Sequence, residues 1–463
     1  MNYDLIVIGS GPGGYVAAIR ASQLGMKVGV VERAELGGIC LNWGCIPTKS
    51  LLKSAQVYSY MCHAQDYGLS SEKDIKPDFK AVIARSRLVA ENMSKGIQYL
   101  FKKNKIEVIQ GTGKLKDNSN VEVADSQGNT DVYSAKHIIL ATGARSKELP
   151  GLEQDGKKII GYREALTLDR QPETMIVVGS GAIGVELAYF YHTIGTKVTL
   201  VELLPNVVPL EDEEVSRQLA RCLKKSGMKV MTDSYVGSVD ISGNTCKANV
   251  KTKKGDETVE ADIIFSAVGI APNIEGIGIE ELGVEVENDK IKVDDHYSTN
   301  IPGIYAIGDI VHGPALAHVA SAEGIICVEK IAGSNPEPLD YGNIPSCTYT
   351  SPEIASLGIT EKAALEAGYE IKTGKFPFTA SGKAAASGKR DGFVKLIFES
   401  DNGKLLGTHL IGDNVTEMIA GLVTARKIGV TAHEIIRSVH PHPTMSEAIM
   451  EAAAAAYDEV IHI

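Results

Sequence analysis

The chain has few cysteines, and most of them form no pattern. Seven occur, at positions 40, 45, 62, 222, 246, 327 and 347. An odd, scattered set excludes the disulfide framework of a small secreted domain. One close pair among isolated cysteines fits a reducing compartment with a single redox couple. Long apolar runs are also missing, and none approaches the ~20 residues of a membrane-spanning helix. The opening Met-Asn-Tyr-Asp-Leu-Ile-Val-Ile-Gly lacks the basic stretch and cleavage site of a secretory signal and reads as a strand. The expected location is the cytoplasm. An excess of positive charge is lacking too. A net charge of −11 argues against nucleic acid and anionic membrane as main partners. No second Cys or His pair lies near Cys40 and Cys45 to complete four ligands, so no metal is expected.

What is present is a composition typical of a globular protein, 44% apolar and 23% charged, over 463 residues. That length suits three or four domains. Residues 4–8 form a short buried strand, followed by Gly9, Gly11 and Gly14 in the spacing G-x-G-x-x-G and then a helical stretch. A second apolar run, Val28 to Val31, ends in Glu32. The glycines allow a tight turn and close approach of a pyrophosphate to a helix N-terminus, and Glu32 is placed to bind a ribose. Strand, glycines, helix, strand and acid in register make more than a glycine-rich turn.

The pattern then repeats. A strand at 175–178 precedes Gly179, Gly181 and Gly184, a helix follows, and the strand 197–201 ends in Glu202. Glu32 stands 23 residues after Gly9, and Glu202 stands 23 after Gly179. Two dinucleotide sites in one chain imply electron transfer between two cofactors. A carboxylate at Glu202 suits the free 2′-hydroxyl of NAD and repels the 2′-phosphate of NADP.

Between the fingerprints lies the most chemical stretch, Gly-Gly-Ile-Cys-Leu-Asn-Trp-Gly-Cys-Ile-Pro-Thr-Lys, 37 to 49. Five residues of straight helix rise roughly 7.5 Å. A disulfide wants Cα atoms about 4.4–6.8 Å apart. For Cys40 and Cys45 to bond, the segment must bend, and Gly44 is where a bend is easiest. Pro47 suits a first helical turn, placing Cys45 near a helix N-terminus that favours its thiolate. The pair reads as a reversible disulfide against a flavin; the competing reading is two buried, unlinked thiols. Lys49, one turn further on, is expected near the flavin.

Residues 51–105 read as helical, and 106–145 as strands and turns that include Gly111 and Gly113 and end at Thr142-Gly143. The second unit closes on a similar strand before Gly269. A third buried strand, 303–310, ends in Gly308-Asp309. Asp309 is placed either to bind a flavin's ribityl chain or to cap the helix expected over 317–332. From Gly342 the pattern changes to alternating strands such as 393–398 and 405–411, with helices at 415–428, 432–438 and 445–457. Within it, Val-His-Pro-His-Pro-Thr-Met-Ser-Glu, 439–447, sets His442 five residues before Glu447. A carboxylate on an imidazole fixes its tautomer and raises its basicity, as a general base requires. Pro443 is a candidate cis bond, and Ser446 or Thr444 a candidate helix cap.

These two signatures resemble those of the pyridine nucleotide–disulfide oxidoreductase family, and the resemblance spans essentially the whole chain. It implies an α/β fold: two Rossmann-like dinucleotide-binding domains plus a C-terminal α+β dimerisation domain. The expected boundaries are 1–147 for FAD, 148–273 for NAD, 274–343 for a central domain completing the FAD site, and 344–463 for the interface. It implies that Cys40 exchanges with the substrate disulfide, that Cys45 is the thiolate beside the flavin, and that Lys49 pairs with Glu186. It makes His442 the base and Glu447 its orienting acid, both supplied by the second subunit of a homodimer. FAD contacts are expected from Gly9, Gly11, Gly14, Glu32, Cys40, Lys49, Gly113, Thr142, Gly143, Asp309 and Ala317. NAD contacts are expected from Gly179, Gly181, Ala182, Ile183, Gly184, Glu202, Val236 and Gly269. The implied reaction is oxidation of dihydrolipoyl groups with reduction of NAD⁺, and the implied partner is a lipoyl domain of a 2-oxoacid dehydrogenase complex or the glycine-cleavage lipoyl protein. The alternative is a relative acting on a glutathione-like thiol. A mercury reductase would carry a Cys pair near its end, whereas the last cysteine here is Cys347. A scaffold that only held a flavin would need neither the Cys pair nor the His–Glu pair. One departure stands out: the family often has two arginines after the glycine that is Gly269 here, and this chain has Ile270-Ala271-Pro272-Asn273.

Overall fold

The computed structural model describes residues 2–70 and 75–463. Its contacts divide the chain into two compact units. One comprises residues 1–50, 83–147 and 270–341; the other comprises 51–82, 148–269 and 342–463. The segment 274–341 thus falls in the same unit as the first fingerprint.

In the first unit, five parallel strands lie in the order Glu107–Gln110, Val28–Glu32, Asn2–Ile8, Thr130–Leu140 and Ile304–Ala306. The first half of Thr130–Leu140 turns to pair antiparallel with Asn120–Ala124, which pairs with Thr112–Leu115. The Val28–Glu32 strand is buried throughout, as its unbroken apolar run requires. Helices Pro12–Gln23 and Ala317–Ile331 pack closely, because a Cβ on Gly324 would lie 2.8 Å from the Gly13 carbonyl.

The second unit repeats this plan. Its parallel strands run Lys229–Met231, Lys197–Val201, Thr174–Val178, Ile263–Ser266 and Ile159–Ile160, beside a three-stranded antiparallel sheet. The last strand differs in origin. In the first sheet it comes late in the chain, at 304–306; in the second it comes first, at 159–160. The same unit holds the C-terminal antiparallel sheet of five strands, in the order 346–348, 353–358, 405–412, 393–399, 371–377.

Helices Cys45–Cys62 and Phe79–Lys103 supply most of the expected helical stretch 51–105. It breaks after a short turn at Ala64–Tyr67, where Gly68 takes a left-handed φ of 73°, and residues 71–74 lie outside the described residues. Strands 393–399 and 405–412 are antiparallel as expected. Their alternation does not mark a solvent face, however, since nearly every residue in both is buried. Lys395, the polar position in that pattern, is 1% exposed. Its Nζ lies 3.0 Å from Asp212, 3.0 Å from Glu214 and 2.6 Å from Glu361. Removing the cation strands the buried Asp212 carboxylate beside two half-exposed acids, Glu214 and Glu361. Lys395→Met is therefore expected to lower stability by about 3–5 kcal/mol, read as a shift in denaturant midpoint. An unshifted midpoint would show that water already screens these acids.

Among the described residues, no helix is long and apolar enough to cross a membrane.

Candidate active site

The first fingerprint is built by close backbone approach. Gly9 has φ of 103°, and a Cβ there would sit 2.3 Å from the Ala141 carbonyl; one on Gly14 would sit 1.9 Å from the Gly9 carbonyl. A Cβ on Gly11, the N-cap of Pro12–Gln23, would meet nothing within 4 Å, and no side chain caps that helix. The positive end of the helix therefore faces open space, which suits a pyrophosphate. Glu32 is 8% exposed and fixed: Oε2 accepts the Ser10 amide at 2.9 Å and the Ser10 hydroxyl at 2.6 Å, and Oε1 accepts the Ala34 amide at 2.9 Å. A carboxylate so held keeps lone pairs for a ribose.

The second fingerprint matches it closely. Cβ atoms on Gly179 and Gly184 would meet the Ala267 and Gly179 carbonyls at 2.4 and 2.0 Å, and one on Gly181 would meet nothing. Glu202 accepts the Ser180 amide at 2.8 Å, the Ser180 hydroxyl at 2.6 Å and the Leu204 amide at 2.8 Å. Ser10 and Ser180, which fix these two acids, are positions that sequence reasoning passed over. The signal was there, a serine as second residue of both glycine motifs. The residues present fit one dinucleotide at each site.

The cysteine segment is tied to the first fingerprint. The Gly37 amide donates to the Ser10 carbonyl at 3.1 Å and hydroxyl at 3.2 Å. Cys40 lies on the helix Gly38–Trp43, the chain breaks at Gly44 (φ −144°, ψ −113°), and Cys45 opens the helix Cys45–Cys62. The bend is where the disulfide geometry asked for it. Across the segment, Arg87 donates to the Asn42 carbonyl at 2.6 Å and stacks 4.1 Å above the Trp43 ring. Donation to Cys45, with burial, drives the Cys40 thiol far above its ordinary range, and the nearby Lys49 cation only partly opposes this.

The remaining first-unit residues fall around the ends of the same sheet. Thr142 donates to the Asn273 carbonyl at 2.6 Å, and Gly143 accepts the Asn273 amide at 2.8 Å. Gly113 is buried against Ile8 and Val31. Asp309 sits in a one-turn helix, Gly308–Ile310, and burial raises its carboxyl against the pull of Lys290. It does not cap the next helix. That cap is Leu316, directly before Ala317. Two residues that the sequence did not mark complete this corner: Glu323, 1% exposed, accepts the Gly308 amide at 2.6 Å and the Tyr341 hydroxyl at 2.7 Å.

In the second unit, Ala182 and Ile183 open the helix that carries Glu186. Glu186 is 4% exposed and accepts the Tyr349 amide at 2.9 Å. Val236 lies in the antiparallel sheet against the core that contains Ile176 and Val201. Gly269 has φ of 121° with open space beside it.

His442 precedes a cis peptide bond to Pro443. Its Nδ1 lies 2.9 Å from Glu447 Oε1, while Oε2 accepts the Thr444 amide at 2.8 Å. Burial pushes the Glu447 carboxyl up, but the Thr444 amide and His442 outweigh it and hold the group below its usual range. An ionised acceptor on Nδ1 fixes the ring and leaves Nε2 as its basic atom. The His442 side chain is 77% exposed, open to a reacting partner. Ser446 occupies the helix N-cap without a side-chain bond, and Thr444 Oγ1 donates to Pro441, so neither hydroxyl acts as a cap.

Residues 3–324 match the pyridine nucleotide-disulphide oxidoreductase family, and residues 344–453 match the dimerisation domain of that family. A protein of Rhizobium etli named dihydrolipoyl dehydrogenase is 47% identical, covering 100% of this chain and 99% of its own length. One of the same name from Bacillus subtilis is 43% identical, covering 99% of each. The crystal structure of LpdA from Mycobacterium tuberculosis superposes with a TM-score of 0.90 at 28% identity, covering 97% of this chain and 98% of that one.

Proposed function

Because the chain belongs to the pyridine nucleotide-disulphide oxidoreductase family, we propose that it oxidises dihydrolipoyl groups to lipoyl groups and reduces NAD⁺, working as a homodimer on a lipoyl domain in the cytoplasm. The observation that carries this reading is the Cys40–Cys45 pair, set at a helix break and tied to a dinucleotide fingerprint. The first fingerprint with Ser10 and Glu32 would hold FAD, and the second with Ser180 and Glu202 would hold NAD; the flavin would supply two-electron chemistry between the dithiol and the nicotinamide.

The chain's own residues do the sulfur chemistry. With Cys40 and Cys45 joined, one substrate thiolate attacks Cys40 Sγ, forming a mixed disulfide and releasing the Cys45 thiolate. The second substrate thiol loses its proton to His442 Nε2 and attacks its own partner sulfur. The substrate leaves as a disulfide, and Cys40 departs as a thiol or thiolate. Two electrons have moved from substrate to the cysteine pair. Glu447 steadies the imidazolium through Nδ1. His442 and Glu447 serve the cysteines of the other subunit. Lys49 lies beside the thiol pair, and Ser10–Glu32 and Ser180–Glu202 orient the two riboses.

The test is steady-state oxidation of dihydrolipoamide with each nicotinamide. The Glu202 carboxylate, facing a 2′-phosphate, is expected to disfavour NADP⁺ by at least about 100-fold in kcat/KM. Equal rates would remove Glu202 from cofactor choice. Glutathione disulfide with NADH should give no turnover; if it is the better substrate, the lipoyl reading falls.

A further inference from the structure

The His442–Glu447 pair has a second pair behind it. Glu451 stands four residues beyond Glu447 on the helix Glu447–Ala455 and is 4% exposed. Residues at that spacing share one helix face, with Cβ atoms about 5–6 Å apart. The Glu451 carboxylate is gripped by residues 461 and 462: His462 Nδ1 donates to Oε1 at 2.5 Å, and the Ile461 amide donates to Oε2 at 3.2 Å. Two histidines thus flank a pair of carboxylates, in the order His442, Glu447, Glu451, His462. His462 also lies close enough to Glu447 to help hold its carboxyl down.

Most other charges on the elements packed against this helix are engaged elsewhere, Glu399 with the Asn402 side chain at 2.6 Å, while Asp458 and Glu459, in the segment before His462, are exposed. Lys372 and His433 lie against the Tyr457 ring. Lys375 and Lys395 are bound to Glu214, and Glu434 to the Thr431 amide. Arg437 closes the short helix Ala432–Arg437.

We propose that Glu451 and His462 are positioning residues for the dithiol reaction, setting the basicity of His442 through the charge they place behind Glu447. The proposal rests on the reading of His442 as the base. A buried anion behind the pair increases the imidazole's hold on a proton, and His462 offsets that anion. At an effective dielectric of about 20, a unit charge about 10 Å away shifts a titration by roughly one pH unit, and by less where solvent screens it.

The test is the pH profile of kcat/KM for dihydrolipoamide in the holoenzyme. A base must be deprotonated to act, so the acid limb follows its pKa. His462→Gln leaves Glu451 less compensated and should move that limb up. Glu451→Gln removes the anion and should move it down, and Glu451→Asp should restore it. Opposite shifts support the proposal, since a loss of packing would not produce them. An acid limb fixed in His462→Gln overturns it, whatever happens to thermal stability; this side chain is 68% exposed, so that variant decides even if Glu451→Gln does not fold. Shifts of the same sign in both variants also overturn it. Undiminished turnover in His442→Gln would instead remove the reading beneath it, which separates the two failures.

Discussion

Cys45→Ser is expected to lower dihydrolipoamide oxidation by on the order of 10⁶-fold, the cost when a covalent catalyst loses its central group. A serine cannot close the disulfide that receives the substrate's electrons, nor present a thiolate to the flavin. The fold should survive, because Cys45 is exposed and opens a helix without filling a core. The measurement is turnover together with flavin content and the absorption spectrum during reduction. The wild-type protein should develop a long-wavelength thiolate–flavin band with NADH or dihydrolipoamide, and Cys45→Ser should not. Cys40→Ser should lose turnover equally but retain the band, since Cys45 remains. Full turnover in either serine variant, or a band that survives in Cys45→Ser, would break the assigned order of the two sulfurs.

The second large effect is expected at His442. His442→Gln keeps a polar side chain but has no atom that can take up a proton at neutral pH. General-base loss of this kind costs about 10²- to 10⁴-fold, here in kcat/KM for dihydrolipoamide. Flavin should remain bound, because His442 contacts Glu447 and belongs to neither fingerprint. The residual rate should also lose its acid limb and rise with pH in proportion to substrate thiolate. Turnover within a few-fold of wild type would remove His442 from the reaction.

The two fingerprints were legible because what they demand of the chain is local. A phosphate at a helix N-terminus demands backbone without side chains, and an acid one strand later binds the sugar. Both demands fall within 24 consecutive residues, twice. The bend at Gly44 was legible for a similar reason, since a Cys40–Cys45 bond would require one and glycine is where the chain bends most easily. What escaped the sequence depends on distant partners. Nothing near Lys395 tells of Asp212, 183 residues away, or that the strand carrying Lys395 is covered on both faces. The grip of His462 on Glu451 needs the chain to turn back over the helix that precedes it. The strand Ile304–Ala306 was visible as a strand, but its place beside Thr130–Leu140 was not, because a second complete sheet intervenes in sequence.

That interruption has a bearing on synthesis. As the chain leaves the ribosome, all five parallel strands of the inner sheet are out once residue 266 has passed, while the outer sheet waits for residue 306. The sheet that carries the second fingerprint can close before the sheet that carries the first is able to.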